Sequence, residues 1–379
     1  MSSIKVAEPV AGAEAIVFCQ EHYNPLGIIR SLGEVGYHPA GIVVRGGRPL
    51  SSRSKYLSKV FMVDNVEEGY EKLLKICSET DTKPFVFTSD DTITCFLNDR
   101  YDEFADKAHF FNAGAAGRLR RYMNKETLNE LAISCGLNVL EAVVVDTAER
   151  KSPIGYPVIT KALDSLEDGW KKYMHICRSD IDFAAAMDGF GSKRALVQKY
   201  IEKDNEYCIE GLSVDGGSKA MFSIASTYKY LLPDSYSPYM DVMSCNEKSI
   251  CTGLKAMLRE IGFEGIYECE FLRDKDGGLY FGEINFRNST WSYASTCAGM
   301  PLPAIWIEAI LGDEVHLEDY LRPVKDGFIA MVEPSDFKKR VLSKKRSLFG
   351  WIGDLAQADC RYYLGKNDLK PVISYLLGR

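Results

Sequence analysis

The chain has 379 residues, 46% of them apolar and 26% charged, a globular composition with length enough for two or three domains. Acidic residues outnumber basic ones by 53 to 46, and the net charge of −7 argues against a general nucleic-acid binder, which carries a basic excess. The 11 cysteines form no CxxC pair and the five histidines no HxxxH or HExxH, so neither a disulfide framework nor a sequence-local zinc site is expected.

The N-terminus, MSSIKVAEPVAGAEAIVF, lacks the basic start, apolar core and cleavage site of a signal peptide. No apolar run approaches the roughly 20 residues of a membrane span. A cytoplasmic chain without a transmembrane segment is expected. AIVFCQ (15–20), AGIVVRG (40–46), KVFMVD (59–64), PFVFTSD (84–90) and HFFNAG (109–114) read as strands. Helical stretches separate them at Pro25 to Val35, at Val66 to Cys77, and from the fourth strand to about Lys107. Such alternation predicts an α/β domain with a doubly wound parallel sheet. It is not a dinucleotide fingerprint, because the first strand runs into QEHYNPLG and the second ends in Arg45 and Gly46.

From Arg118 the texture changes. RLRRYMNKETLNELAISCGL predicts one charged helix, VLEAVVVD and YPVITKAL predict strands, and Asp168 to Met187 a polar helical region. ALVQKYI, EYCIEGLSVD and MFSIASTYKYLL read as further strands, followed by a helix from about Glu247 to Ile261. GIYECEFLRD and LYFGEINFR pair around KDGG, giving a mostly antiparallel α+β unit. A helix from Pro301 to Leu311 and a smaller mixed tail complete the chain.

The hairpin at Gly265 to Arg287 is the most informative stretch. With a four-residue loop, Lys275 to Gly278, Asp274 faces Leu279. Phe271 then pairs with Gly282, Cys269 with Ile284 and Tyr267 with Phe286, which makes one face apolar. The other face sets Glu270 against Glu283 and Glu268 against Asn285, with Arg287 beyond. Carboxylates so opposed lie ~5 Å apart and repel. A hard cation such as Mg²⁺ would offset that repulsion, with Asn285 supplying a neutral oxygen. A solvated acidic face is the ordinary alternative. Glu268 is read as the bystander.

These residues resemble the end of an ATP-grasp domain, whose closing strands read Glu-Phe and Glu-x-Asn-x-Arg. Here those positions are Glu270-Phe271 and Glu283, Asn285 and Arg287. The resemblance implies that Glu270, Glu283 and Asn285 hold two Mg²⁺ ions, for which Mn²⁺ can substitute, on the phosphates of ATP. It places Arg287 beside the γ-phosphate and the reacting carboxylate. MNKETLNELAISCGL resembles the family's first nucleotide-contacting helix, implying Lys125, and YPVITKAL its phosphate-binding lysine strand, implying Lys161. ALVQKYIEKDNEYCIEGL resembles the hinge under adenine, implying Gln198, Lys199, Tyr200 and Ile201 around the base and Glu206 on the ribose. In YKYLLP, Lys229 matches a basic position near the phosphates, and GMPLPAIWIEAILG resembles a further family helix.

The likeness covers about residues 113 to 320. It implies a preceding domain at 1–112, a small subdomain at 113–200, a large subdomain at 201–320 and a helical or mixed extension at 321–379. SSRSKY (51–56) and FTSDD (87–91) resemble the carboxylate–amine ligases that include D-aspartate ligases. Two stretches depart from the pattern. Phe286 stands where proline is frequent, and ALDSLEDGWKKYM has only Gly169, with Lys171 and Lys172 as substitutes, where many members carry a glycine-rich phosphate flap.

The implied activity is ADP-forming ligation of a small-molecule carboxylate, through an acyl phosphate, to an amine. The alternative is a nucleotide-binding pseudoenzyme or scaffold. No nucleic-acid partner is expected, and a homodimer is left open. KKRVLSKKR (338–346) beside SLFGWIGDL is ordinarily a solvated helix face; the alternative is peripheral attachment to anionic lipid. Trp291, Tyr293 and Trp306 are expected in the core or a pocket wall.

Overall fold

The computed structural model describes residues 7–163, 170–232, 236–312 and 316–378. The first five strands, β1 (Ala15–Gln20), β2 (Ala40–Val44), β3 (Lys59–Val63), β4 (Phe85–Thr88) and β5 (His109–Phe110), form a parallel sheet in the order β3-β2-β1-β4-β5. This is the predicted doubly wound unit. Apolar side chains on both sheet faces, such as Val17 and Phe18, are wholly buried, as helices on both sides require. Strand order reverses between β1 and β4, so a crevice opens beyond their carboxyl ends, where such sheets bind ligands. The helix expected to run to Lys107 is two pieces, Asp91–Asn98 and Tyr101–Phe104.

A four-stranded antiparallel sheet follows, ordered β6 (Ala142–Asp146), β9 (Arg194–Lys199), β7 (Val158–Lys161), β8 (His175–Cys177). Ahead of it, the single helix expected from Arg118 is broken into Arg118–Met123 and Lys125–Ser134. Asn124 causes the break. Its backbone is extended (φ −72°, ψ 123°), and its side chain accepts the N–H groups of Glu126 and Thr127 at 3.0 and 3.2 Å. Lys125 therefore opens a helix. The polar helical region also differs: a short 3₁₀ turn (Trp170–Tyr173) and β8 precede a helix at Asp180–Asp188. Residues 164–169, with Gly169 of the expected flap, and the side chain of Lys171 lie outside the described residues.

The third sheet has seven strands. Their order is β14 (Leu279–Asn285), β13 (Gly265–Arg273), β10 (Asn205–Val214), β11 (Lys219–Tyr228), β12 (Tyr239–Met243), β15 (Phe328–Met331) and β16 (Cys360–Arg361). β12 is a strand the sequence does not predict, and β15 and β16 come from the tail, which thus extends the main sheet. Two contacts lock the first domain onto the rest. Trp306, fully buried, meets Phe85, Phe87 and Phe111 edge-on at 5.5, 5.4 and 5.0 Å between ring centroids. Arg30, also fully buried, donates to the carbonyls of Tyr362, Tyr363 and Asp368. Among the described residues no helix is long and apolar enough to cross a membrane.

Candidate functional site

The pairing of β13 with β14 sets Glu270 opposite Glu283 and Glu268 opposite Asn285, as the sequence predicts. Toward the turn the register differs. A bulge after Glu270 leaves Gly282 unpaired, so Phe271 faces Phe281 and Arg273 faces Leu279. A Cβ at position 282 would approach the Glu270 carbonyl to 3.1 Å, which suits glycine there. The turn is longer than expected: the Asp274 carboxylate accepts the N–H groups of Asp276 and Gly278 and so leaves the ladder.

β10 lies on the other side of β13 and places Cys208 opposite Glu270 and Glu210 opposite Glu268. One sheet face therefore carries Glu210, Glu268, Glu270 and Glu283 on three neighbouring strands. Asn285 Nδ2 donates to Glu268 Oε2 (3.0 Å) and Glu270 Oε1 (3.2 Å), while Glu210 accepts the hydroxyls of Ser289 (2.6 Å) and Ser292 (2.7 Å). Burial, then the charge of Glu283, pushes the Glu270 carboxyl well above its ordinary range. Burial, then Glu210, does the same for Glu268. Burial, with a smaller push from the Glu270 charge, carries Glu210 up to about 7 against its two serine partners. The bystander of the sequence reading is thus a buried member of the array, holding the Asn285 amide. Sequence reasoning missed Glu210, which stands 58 positions before its partner and carries no local motif.

Arg287 extends the array toward the first domain. Its guanidinium donates to Asn285 Oδ1 (3.0 Å) and forms a two-pronged pair with Asp91 (2.9 and 3.2 Å). Asp91 begins the helix after β4, so the ATP-grasp-like motif meets FTSDD at the carboxyl edge of the parallel sheet. His22, Asp90 and Glu21 gather at the same edge. Burial and the Arg287 charge lower His22 to about 4, which keeps the imidazole neutral at pH 7. Asp90 caps the helix with Oδ1, its Oδ2 is buried without a partner, and burial lifts it to about 6. Glu21 accepts from Leu50 N, Ser51 Oγ and Ser52, which fixes the SSRSKY loop beside β1.

Between β7 and β9, Lys161 Nζ donates to Gln198 Oε1 at 2.7 Å. Burial, then the nearby charge of Lys125, lowers Lys161 to about 8, and Glu283 acts in the opposite sense. The two expected lysines and the expected carboxylate therefore share one neighbourhood. Glu206 pairs with Lys203 through Oε1, and its Oε2 is buried without a partner. Gln198 spends its amide on Lys161 rather than pointing freely at a base. Lys199 Nζ turns back to the carbonyls of Gly155 and Tyr156 (2.7 and 3.2 Å), and Tyr200 N–H donates to Pro157. Ile201 follows, half-buried, just beyond β9. Lys229 is not brought into this group. It pairs with Asp241 at 2.6 Å, and Asp241 registers with Thr227, Tyr207 and Phe271 on the sheet face opposite Glu270. Tyr236, also unforeseen, has its phenol held well up, first by the Glu270 charge.

Among the described residues no group of three or more His, Cys, Asp or Glu is arranged to hold a metal ion by itself. The hard-oxygen pair on this face is the facing carboxylates of Glu270 and Glu283, while the Asn285 amide turns its nitrogen to Glu268 and Glu270 and its oxygen to Arg287. Those carboxylates fit a Mg²⁺ ion that brings phosphates and water as its remaining ligands, and a cation there would offset the burial and the Glu283 charge that disfavour ionised Glu270.

No family model matches the chain, and no curated protein sequence matches it. Solved structures do. An N5-carboxyaminoimidazole synthetase from Staphylococcus aureus superposes with a TM-score of 0.65 at 13% identity, over 90% of this chain and 88% of that one. An L-amino acid ligase from Bacillus licheniformis gives 0.62 at 13% identity, over 83% and 78%. A biotin carboxylase from Campylobacter jejuni, solved as a beta-gamma-ATP complex, gives 0.64 at 18% identity, over 82% and 73%. Together with the parallel sheet, the four-stranded sheet and the seven-stranded sheet that carries the acidic hairpin, they identify this chain's architecture as the ATP-grasp fold.

Proposed function

We propose that this protein is an ATP-dependent carboxylate–amine ligase acting on small molecules. The observation that carries the reading is the facing pair Glu270 and Glu283, set between the lysines Lys125 and Lys161 on one side and Arg287 on the other. Lys161, aimed by Gln198, and Lys125 receive phosphate charge. Glu206 offers its unpaired Oε2 to ribose hydroxyls, and the backbone from Lys199 to Ile201 borders the base. Glu270, Glu283 and Asn285 would hold Mg²⁺, which supplies neutralising charge to the phosphates when bound.

Arg287 orients the substrate carboxylate at the boundary between the sheets, with Asp91 fixing its fork. A carboxylate oxygen then attacks the γ-phosphorus, the bond to the β-phosphate oxygen breaks, and ADP leaves. The amine nitrogen attacks the resulting acyl phosphate, gives up a proton, and inorganic phosphate departs. Asp90, with one unbonded oxygen beside Arg287 at the sheet edge, is the acceptor on the amine side. Lys229 would have to leave Asp241 to reach a phosphate, and it takes no part in this scheme.

The test is ADP release from Mg-ATP across a panel of amino acids and other small carboxylates and amines. Amine-dependent ADP release is the expected result. ATP-induced stabilisation without ADP release from any pair would favour the nucleotide-binding scaffold instead, and no stabilisation at millimolar Mg-ATP would remove both readings.

A further inference from the structure

The tail carries a feature that the ligase reading does not use. Residues Phe337–Leu342 form a π-helical turn, and Leu348–Gln357 form a helix that folds back against it. Between Phe337 and Gly353 the chain has six basic residues and no acidic one, although its overall charge is −7. Arg340 and Arg346 are spent internally. Arg340 clasps Asp336 and Asp354 at 2.7 Å each, and Arg346 clasps Asp354 at 2.7 Å. Trp351 donates its indole N–H to Asp336 (2.8 Å) and packs edge-on against Phe337. This clasp ties the two helical pieces together.

What the clasp leaves outside is of two kinds. Every residue from Leu342 to Leu348 is exposed, and so is Phe349, which is 86% exposed. Leu342, Leu348 and Ile352 add apolar surface that the fold does not cover, at 65%, 49% and 49% exposure. Lys344 and Lys345 stand in the same run, and Lys338 is exposed beside it. None of these three meets a carboxylate among the described residues. Four large apolar side chains on a basic ground, held on a clasped support, are costly to leave in water.

We propose that this element docks the protein onto an anionic phospholipid surface. Phe349, with Leu342, Leu348 and Ile352, enters the headgroup–acyl boundary, and the lysines meet lipid phosphates. Charge complementarity selects an anionic occupant, and the aliphatic part of the patch has no use against a nucleic-acid backbone or base. The position suits peripheral attachment. β15, which leads into this element, lies three strand spacings from β10 and four from β13, roughly 14 and 19 Å across the sheet from strands of the carboxylate array. The inference is independent of the nucleotide reading, because no site residue belongs to the patch.

The experiment is co-sedimentation of the full chain with vesicles of equal phosphatidylcholine and phosphatidylglycerol, beside pure phosphatidylcholine vesicles, at 0.1 and 0.5 M KCl. Binding to the anionic vesicles at low salt, lost at high salt and absent on pure phosphatidylcholine, is expected. A Lys344→Ala/Lys345→Ala double variant should bind roughly 25-fold more weakly, at about fivefold per lysine. Phe349→Ser should cost at least about tenfold. Both variants should keep the wild-type melting temperature, since these side chains are exposed. Failure to bind anionic vesicles, or equal binding to both vesicle types, would overturn the proposal. So would a concentration-dependent dimer that Phe349→Ser dissolves, which would make the occupant a second copy of this chain.

Discussion

Two places in this molecule crowd charged side chains into little space, and they solve the problem in opposite ways. In the tail, Asp336 and Asp354 are each met by arginine. Burial works against Asp354, yet Arg346 and Arg340 hold its carboxyl below the usual range. On the sheet face, Glu210, Glu268, Glu270 and Glu283 meet chiefly one another, and the first three are pushed up. The cations close by, Arg287 and Lys161, are engaged with Asp91 and Gln198. A compensated cluster of this kind is structural, a staple for the docking element. An uncompensated one stores unfavourable free energy that a cationic ligand can release, which is the pattern of a binding site.

The sharpest way to break this contrast is to neutralise one group in each cluster. Glu283→Gln or Glu270→Gln should reduce ADP release by on the order of 10²–10³-fold while leaving the apo melting temperature equal or higher, because a like-charge pair is relieved. Arg340→Ala should do the reverse. It takes the charged partner from Asp336, which has no exposed side-chain surface and keeps the neutral donors Trp351 and Tyr230, and should cost about 3 kcal/mol of stability with little change in specific activity. If both substitutions unfolded the protein and neither touched turnover, the two clusters would be alike.

A smaller effect separates charge from its support on the nucleotide side. Lys161→Ala should weaken ATP binding roughly tenfold to a hundredfold, the worth of a charged hydrogen bond to phosphate. Gln198→Ala removes only the acceptor that aims the ammonium, so a loss of about threefold to tenfold is expected in the same calorimetric titration. Because burial and Lys125 hold Lys161 near 8, ATP affinity should fall as pH rises past that value. Equal losses from both variants would mean that the lysine acts only when Gln198 holds it.

Glu268 marks the inner edge of the array, and its expected effect is smaller again. Its Oε2 accepts from Asn285, and its carboxyl bonds to Glu210 across β10 and β13. Glutamine keeps an acceptor for Asn285 and supplies a donor toward Glu210. ADP release by Glu268→Gln should therefore fall only a few-fold, whereas Glu268→Ala, which frees the Asn285 amide, should fall further. Parity between Glu268→Gln and Glu283→Gln would move the metal ligands one step along the hairpin.

The contrast also explains what the sequence made legible. The β13–β14 pairing is local, and alternation of apolar and acidic residues fixes it, so Glu270 against Glu283 and Glu268 against Asn285 could be read directly. The turn end could not, because the Gly282 bulge shifts it without changing composition. The parallel sheet was readable because each of its longer strands is an apolar run bounded by a helix. β15 and β16 were not, being four and two residues long with no periodicity to detect. Asn124 was visible as a residue but not as a cap, since a charged helix reads smoothly across it. The partners that complete the site are long-range. Arg287 finds Asp91 at a separation of 196 residues, and Glu210 finds Glu268 only through strand order. Lys229 shows the converse: a motif match placed it near the phosphates, and the strand register carries its partner to the other face.

The smallest expected effect is on stability without ligand, and it has opposite signs in the two regions. A carboxyl lowered in the fold stabilises above its unfolded pKa and loses that contribution as pH falls, so the Asp354 clasp weakens below about pH 4. A carboxyl raised in the fold does the opposite. Between its unfolded value of 4.5 and about 7, native Glu210 holds a proton that the unfolded chain has released. Stability from that group is complete below pH 4.5 and is lost as pH rises toward 7, with Glu268 and Glu270 acting in the same direction. The apo protein should therefore melt a few degrees lower at pH 7.5 than at pH 5. Glu210→Gln should flatten that slope, since an amide has no proton to lose. Asp354→Asn should leave the slope intact and remove the acid-side loss instead. Parallel melting profiles for wild type and Glu210→Gln between pH 4.5 and 7.5 would mean that Glu210 is ionised in the fold, neutralised by something other than its serines, and the array would no longer differ in kind from the tail.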